Sequence, residues 1–597
     1  MTKAHSFHIP VMGIGFTIDT PIKVSQYGID SVISIGDDIL LEKLRKMYCE
    51  KHKLPYAEIS DKIEDSRAKR ITSYLNLVKK LVSDNFQELK TASLSQVKRY
   101  FKMLPDNSPI KLHFEKLLDD GTEEKQIKKE LEGALSLGDI DVNIMTKLDK
   151  ENYIKDEKLP VEYNDAHAAL RGFANSDLHS SIVFSAGMNP RLYSYLSSFD
   201  DFYPNEEGVF KKKIVLKVSD YRSALVQGKF LAKKGIWVSE YRIESGLNCG
   251  GHAFATDGYL MGPILAEFRD KREELRESIY DIYVQTLTSS GRTIPKSQLA
   301  LKVTAQGGVG TAEEHDFLID HYNVDSVGWG TPFLLVPEAT TVDTATMEKL
   351  VKAKEDDLYL SNISPLGVPF HNLKGNTKDL EKIALVKKGR SGSSCPKKFL
   401  SLNKEFDGKA ICTASRQYQY LKLQELEKEE GTMDADVYQA KFDNIVEKSC
   451  ICVGLGTAAL LENDLDTKVE GEGVSICPGP NMAYFSKIMS LKEITDHIYG
   501  RTNVISRPDR PNMFVKELNI YIDYLRGKVD EAKLSITEKQ KKYLQLFEQN
   551  LMEGINYYQE VFSNLSKQFK NSKSSILYDL GASKNSLRLL YLEIEKL

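Results

Sequence analysis

The sequence predicts an α/β chain: a (β/α)8 (TIM) barrel with a large helical insertion and a mainly helical C-terminal region. Three observations predict it. From residue 10 to about residue 337, short β-rich runs alternate with helical stretches, the pattern that forces parallel strands joined by helical crossovers. Most of these runs are continuously apolar, as strands covered on both faces must be. The last two run into glycine turns, Gly307-Gly308 and Gly330-Thr331, where barrels commonly bind phosphate after strands seven and eight.

The predicted strands are residues 11–15, 31–35, 141–145, 182–185, 214–218, 236–240, 301–305 and 326–329. The first run also reads as a lid strand or loop. Between the second and third runs, about 41–132 is charged and helix-favouring, with apolar residues at helical spacing over 71–78. Residues 259–290, rich in Glu and Arg, read as one long helix with a solvent-facing side. After residue 340 the strand signal fades, and 538–597 is dominated by amphipathic helices. The barrel is therefore placed at 1–390, with the insertion at about 41–132 inside it, and the helical region at 391–597. Residues 387–394 have linker composition.

A chain of 597 residues exceeds one compact core, so two or three domains are expected. The formal charge of −4, with lysine and acid mixed along the chain, offers no basic surface for a phosphate backbone, so no nucleic-acid partner is expected. Residues 1–10 carry no basic segment followed by an apolar one, and no run approaches the ~18 apolar residues that span a bilayer. A cytoplasmic protein with a small-molecule substrate and no membrane partner is the expectation. The odd count of seven cysteines, without a closely spaced even framework, fits a reducing compartment.

At Gly307-Gly308 a β-run ends in glycines and a helix begins, so backbone N–H groups can approach an anion with no Cβ in the way. One strand later Gly330-Thr331 repeats the arrangement with a hydroxyl beside it. Either turn alone could merely reverse the chain. Two in succession, at the right strand interval, point to a phosphate-bearing cofactor. Upstream, Cys249-Gly250-Gly251-His252 ends another strand. Its glycines would let the backbone pass beneath a flat ligand. The imidazole, with an unperturbed pKa near 6.5, could take a proton from an acidic C–H at the end of the barrel where chemistry occurs. An isolated histidine in such a turn is more often simply hydrogen-bonded in place. Its position two strands before the phosphate turns favours a base.

Cys395, Cys412, Cys450, Cys452 and Cys477 all follow the barrel. Thiolates are the ligands that iron–sulfur clusters and structural zinc require, and four could be drawn from these five. The set taken is Cys395, Cys412, Cys452 and Cys477. Their spacing matches neither a bacterial ferredoxin run nor a paired Cys-x-x-Cys zinc site, so buried inert thiols are the alternative. Glu313, Glu314, His315 and His321 lie at helix-compatible spacing, but acid at a helix start is ordinary dipole complementation. No Gly-x-Gly-x-x-Gly follows a first strand, which disfavours a two-cofactor Rossmann enzyme. The C-terminal helices carry Leu, Tyr and Phe at helical intervals, suited to packing, to a homo-oligomer or to a protein partner.

At these residues the sequence resembles the nitronate monooxygenase (2-nitropropane dioxygenase-like) family and the related flavin-dependent enoyl-thioester reductases, both FMN-binding (β/α)8 barrels. The family's Ala-Gly-Gly-Ile turn looks like Ala305-Gln306-Gly307-Gly308-Val309. Its buried Asp-Gly-Val strand and Met-Gly-Thr-Arg-Phe-Leu look like Asp325-Ser326-Val327-Gly328 and Trp329-Gly330-Thr331-Pro332-Phe333-Leu334. Its Ala-Gly-Gly-His is similar to Cys249-Gly250-Gly251-His252, and its Gly-Val-Asn-Leu to Asp141-Val142-Asn143-Ile144. Residues 356–372 are similar to the segment that closes the family barrel.

The resemblance covers a little over half of the chain. It implies FMN, with Gly307, Gly308, Gly330 and Thr331 as phosphate contacts, Asn143 beside the flavin and His252 as catalytic base. Met12, Gly13, Lys217, Gly250, Gly251, Gln306 and Gly328 complete the expected cofactor-binding set. The implied activity is an FMN-dependent, nitronate monooxygenase-like oxidation of an acidic C–H. Alternatives are an enoyl-thioester reductase using NAD(P)H, or a flavoprotein/iron–sulfur electron-transfer scaffold acting with a partner. The chain departs from the pattern at Pro332, where the family has Arg, and at Ala253, where Arg follows the histidine.

Overall fold

A computed structural model describes every residue except 1, 2, 132, 186, 407, 409, 534 and 535. The limits of two predicted spans, Met1 and Glu132, lie outside the described residues. Eight parallel strands close into a barrel in chain order: β1 (Phe7–Ile9), β2 (Asp30–Ser34), β3 (Ile140–Met145), β4 (Ser180–Ser185), β5 (Lys212–Val218), β6 (Val238–Glu244), β7 (Lys302–Gln306) and β8 (Ser326–Gly328). Closure is made by β1 against β8, with Phe7 opposite Val327 and His8 opposite Gly328. Apolar residues along β4 and β5, and Ile140, Val142 and Ile144 of β3, are buried, as strands covered on both faces require.

The predicted run 11–15 is not a strand. β1 lies upstream of it, and 11–15 forms the turn that leaves the barrel, with the Gly15 amide bonded to the Leu455 carbonyl at 2.9 Å. The run 236–240 is displaced, since β6 extends to Glu244. The insertion between β2 and β3 is helical, comprising Asp38–Lys51, Ser66–Thr91, Leu94–Met103, Pro109–Asp119 and Glu124–Glu130. Along its longest helix Ile71, Tyr74, Leu75, Val78, Leu81 and Val82 form a buried stripe at three- and four-residue spacing.

The single helix expected at 259–290 is two, Met261–Asp270 and Arg272–Ser289, with a break at Lys271. The halves answer to different partners. Gly262 donates its amide to the Tyr558 hydroxyl in the C-terminal region, whereas Ile279 and Tyr283 pack toward Gly228 and Trp237 beside the barrel. At the break, Arg272 turns inward to donate to the Leu301 carbonyl and to pair with Asp325. A further antiparallel pair, β9 (Leu358–Ser361) and β10 (Phe370–Leu373), appears where the strand signal faded.

The C-terminal region continues the barrel's core. One apolar cluster runs from Phe7 to Ile594. Helix Ile451–Glu462 is apolar all round and is buried from Ile451 through Leu460, the position such a sequence must take in water. Helices Met513–Ala532, Glu538–Asn564 and Lys573–Lys596 pack together, and Phe514 and Phe562 reach Phe317 of the barrel's outer layer. Buried Lys397 pairs with Asp37, the N-cap of the first insertion helix, at 2.5 Å. The linker-like stretch is anchored, since the Ser393 amide donates to the Ala414 carbonyl. Among the described residues no single helix is long and apolar enough to cross a membrane.

Candidate active site

A cavity of about 430 Å³ lies at the C-terminal end of the barrel strands. Every barrel strand ends in it, through Pro10, Ser34, Asn143, Ser185, Lys217, Glu244, Gln306 and Gly328. The expected residues Met12, Gly13, Asn143, Lys217, Gly250, Gly251, His252, Gln306, Gly307, Gly308, Gly328, Gly330 and Thr331 all line it. Chain topology explains the gathering, because parallel strands deliver every βα turn to one end.

The two glycine turns stand on neighbouring strands, with Gly328 paired to Gln306. Gly307 and Gly308 have φ of +121° and +79°, values that L side chains rarely adopt, and a Cβ at Gly308 would overlap the Asn248 side chain. Glycine is therefore required here for geometry alone. What the turns offer a ligand is read from their amides. Gly310 and Thr311, at the start of helix Ala312–Asp320, donate to the carboxylate of Glu314, which closes a capping box. The helix N-terminus is thus satisfied by the protein's own acid, contrary to the simplest reading of the motif. The amides of Gly308 and Val309, just before these groups, and of Gly330 after the next strand have no acceptor among the described residues.

Arg510 holds this turn from the C-terminal region. Its guanidinium pairs with Glu314 at 2.8 Å and donates to the Gly308 carbonyl and to Asn481 Oδ1, both at 2.9 Å. Asn481 in turn donates Nδ2 to the Val309 carbonyl at 2.8 Å. These contacts engage the Gly308 and Val309 carbonyls, while the amides of the same two residues stay unpaired among the described residues.

His252 is held between β10 and the cavity. Its Nε2 lies 2.7 Å from the Ser364 hydroxyl, and its ring meets Phe370 edge-on. Nδ1 has no hydrogen-bond partner among the described residues. Burial, with Lys217 nearby, lowers its pKa to about 4, so the imidazole is neutral at physiological pH. Lys217 pairs with Glu244 at 2.6 Å, and Gln306 Nε2 donates to the same carboxylate. The buried oxygen Asn143 Oδ1 has no hydrogen-bond partner among the described residues, whereas the Gln306 side chain faces buried His8. A buried unpaired acceptor costs ~1–3 kcal/mol, so the Asn143 oxygen is open to a donor from a ligand.

The C-terminal region supplies the rest of the wall, through Phe399, Leu400, Ile451, Leu455 and the stretch 476–479. Cys477 accepts the Gly251 amide at 3.2 Å, and a Cβ on Gly250 would overlap that same carbonyl. The Gly-Gly-His turn therefore makes room for a passing backbone, that of residue 477. Sequence reasoning missed Glu244, Ser364, Asn481 and Arg510. Only the Pro-Gly-Pro run after Cys477 and the all-apolar helix at 451–462 marked the covering segment, and neither signal says which surface is covered.

The cysteines regroup. Of the expected metal set, Cys395 and Cys452 lie together, but Cys450 completes the cluster, all three Sγ atoms lying within 4.8 Å of one another. Cys412 is buried near Cys395 and Cys450 but outside that group, while Cys477 lies in the cavity wall near Cys249. His315 is a core residue, accepting from Trp329 Nε1 and facing the Ser6 hydroxyl, and His321 stacks on Phe317.

No protein-family profile and no curated protein matches the sequence. Among solved structures, the chain is similar to FabK from Thermotoga maritima at 12% identity and TM-score 0.35, covering 87% of this chain and 95% of that one. It is also similar to the enoyl reductase domain of MlnA, from the macrolactin biosynthesis cluster of Bacillus amyloliquefaciens. That match has 15% identity and TM-score 0.33, covering 71% of this chain and 89% of that one. The barrel itself stands on the strand pairing of this chain.

Proposed function

We propose that the protein is an FMN-dependent oxidoreductase whose small-molecule substrate enters at the C-terminal mouth of the barrel. The observation that carries the reading is the unpaired amides of Gly308, Val309 and Gly330 on adjacent strand ends, in one cavity with the unpaired Asn143 oxygen. The amides would hold the phosphate, with the Thr331 hydroxyl beside them. Asn143 Oδ1 would accept from a donor on the isoalloxazine edge. The flavin would supply the two-electron chemistry, and the protein its orientation and electrostatics.

In the nitronate monooxygenase-like reaction, neutral His252 takes the proton of the substrate's acidic C–H, and the Ser364 hydroxyl fixes the ring through Nε2. His252→Ala then retains flavin but slows flavin reduction by substrate by ~10²–10⁴-fold, the range of general base catalysis. Anaerobic rapid mixing with a nitroalkane checks this, and an unchanged rate rejects the base. One observation favours the second reading, an enoyl-thioester reductase. An imidazole whose pKa is pushed to about 4 is a weak base yet a good neutral hydrogen-bonding group. That reading predicts NAD(P)H consumption that depends on an added enoyl thioester.

A further inference from the structure

Cys395, Cys450 and Cys452 come from two segments far apart in sequence, yet their Sγ atoms lie within 4.8 Å of one another and all three residues are buried. Two thiolates on one tetrahedral zinc, each ~2.3 Å from the ion, stand ~3.8 Å apart. The cluster is thus of single-ion size. Thiolates on separate irons of a four-iron cluster stand wider, because each holds a different corner.

The surroundings suit anionic sulfur. Cys450 is the N-cap of helix Ile451–Glu462, and Cys452 sits in its first turn, where the helix presents its positive end. The Lys398 amide donates to Cys395 Sγ at 3.3 Å, the backbone hydrogen bond that structural metal–thiolate sites commonly use to orient and stabilise sulfur. The mutual closeness of three thiols is also unlike a disulfide, which would join two and strand the third.

We propose that these three thiolates form a binding site for a single soft divalent cation of the zinc class, with Cys412 outside the coordination. The site fastens residue 395, on the segment that carries cavity-lining Phe399 and Leu400, to the start of the helix that carries Leu455. It thereby sets two walls of the barrel mouth. The inference does not depend on the flavin reading, because its readout is metal.

The test is elemental analysis of the full-length protein produced with zinc, followed by titration of the metal-stripped protein with zinc and with cobalt. One zinc per chain is expected, with a sulfur-to-cobalt charge-transfer band of the intensity of three thiolates. Cys395→Ser, Cys450→Ser and Cys452→Ser should each weaken zinc binding by ~100-fold or more, the share of one ligand in such a site. Cys49→Ser and Cys412→Ser should not. If the ligand variants fail to fold, a thiol-specific mercurial added to the native protein should release one zinc as three thiols react. Protein without zinc that gives no such cobalt band overturns the proposal. So does a disulfide within the trio, or iron with inorganic sulfide.

Discussion

Gly308 and His252 show how little of a residue's role lies in its own chemistry. Gly308 is fixed by its positive φ and by Asn248, and what it offers a ligand is an amide that its neighbours leave free. His252 has an ordinary imidazole, but burial beside Lys217 lowers its pKa to about 4. A base acts in its neutral form, so activity that depends on it is lost as pH falls through the folded-state pKa. The acid limb of kcat/KM is therefore expected near pH 4. A limb near 6.5, which His252→Ala removes, would mean that the histidine is not buried as described.

Residue types at the site were legible because their constraints are local. A glycine pair at the end of an apolar run announces a positive φ and a close approach without help from the rest of the chain. Glu244, Ser364 and Arg510 were not legible, because each acts through a partner brought by the fold. Cys450 joins Cys395 and Cys452 where the sequence suggests Cys412 and Cys477 for the same reason, since no spacing rule says which sulfur the start of the helix at 451–462 turns toward Cys395.

At the scale of elements, the barrel strands could be read from runs buried on both faces. The first was missed, because β1 lies upstream of the predicted run 11–15, and the others moved by a few residues, most at β6. The helix expected at 259–290 breaks at Lys271 because its halves pack on different neighbours, and periodicity within a segment cannot report two partners. The stretch 476–481 is the clearest case of an element whose meaning is tertiary. Its backbone lies on Gly250 and Gly251, and Asn481 ties it to the turn at Gly307-Gly308-Val309. Asn481→Ala removes the donor to the Val309 carbonyl and the acceptor of Arg510, a loss of ~1–3 kcal/mol when such partners are left unpaired. FMN binding, measured by fluorescence quenching, should weaken by about tenfold with the fold retained. Unaltered affinity would place the flavin phosphate away from this turn.

At the scale of the whole molecule, barrel and C-terminal region share one apolar core. The helix at 451–462 has no polar face to present to water, and the pair Lys397–Asp37 is buried between the two parts. Residues 1–390 produced alone are accordingly expected to be insoluble or molten and to hold no flavin, as judged by near-ultraviolet circular dichroism and flavin retention. A folded, yellow fragment would show that the mouth needs no cover.

The most direct test of the central claim is the visible absorption spectrum of the purified full-length protein, before and after incubation with excess FMN and removal of unbound ligand. The account predicts the two flavin bands at one FMN per chain. A folded, colourless protein that stays empty after incubation would contradict it.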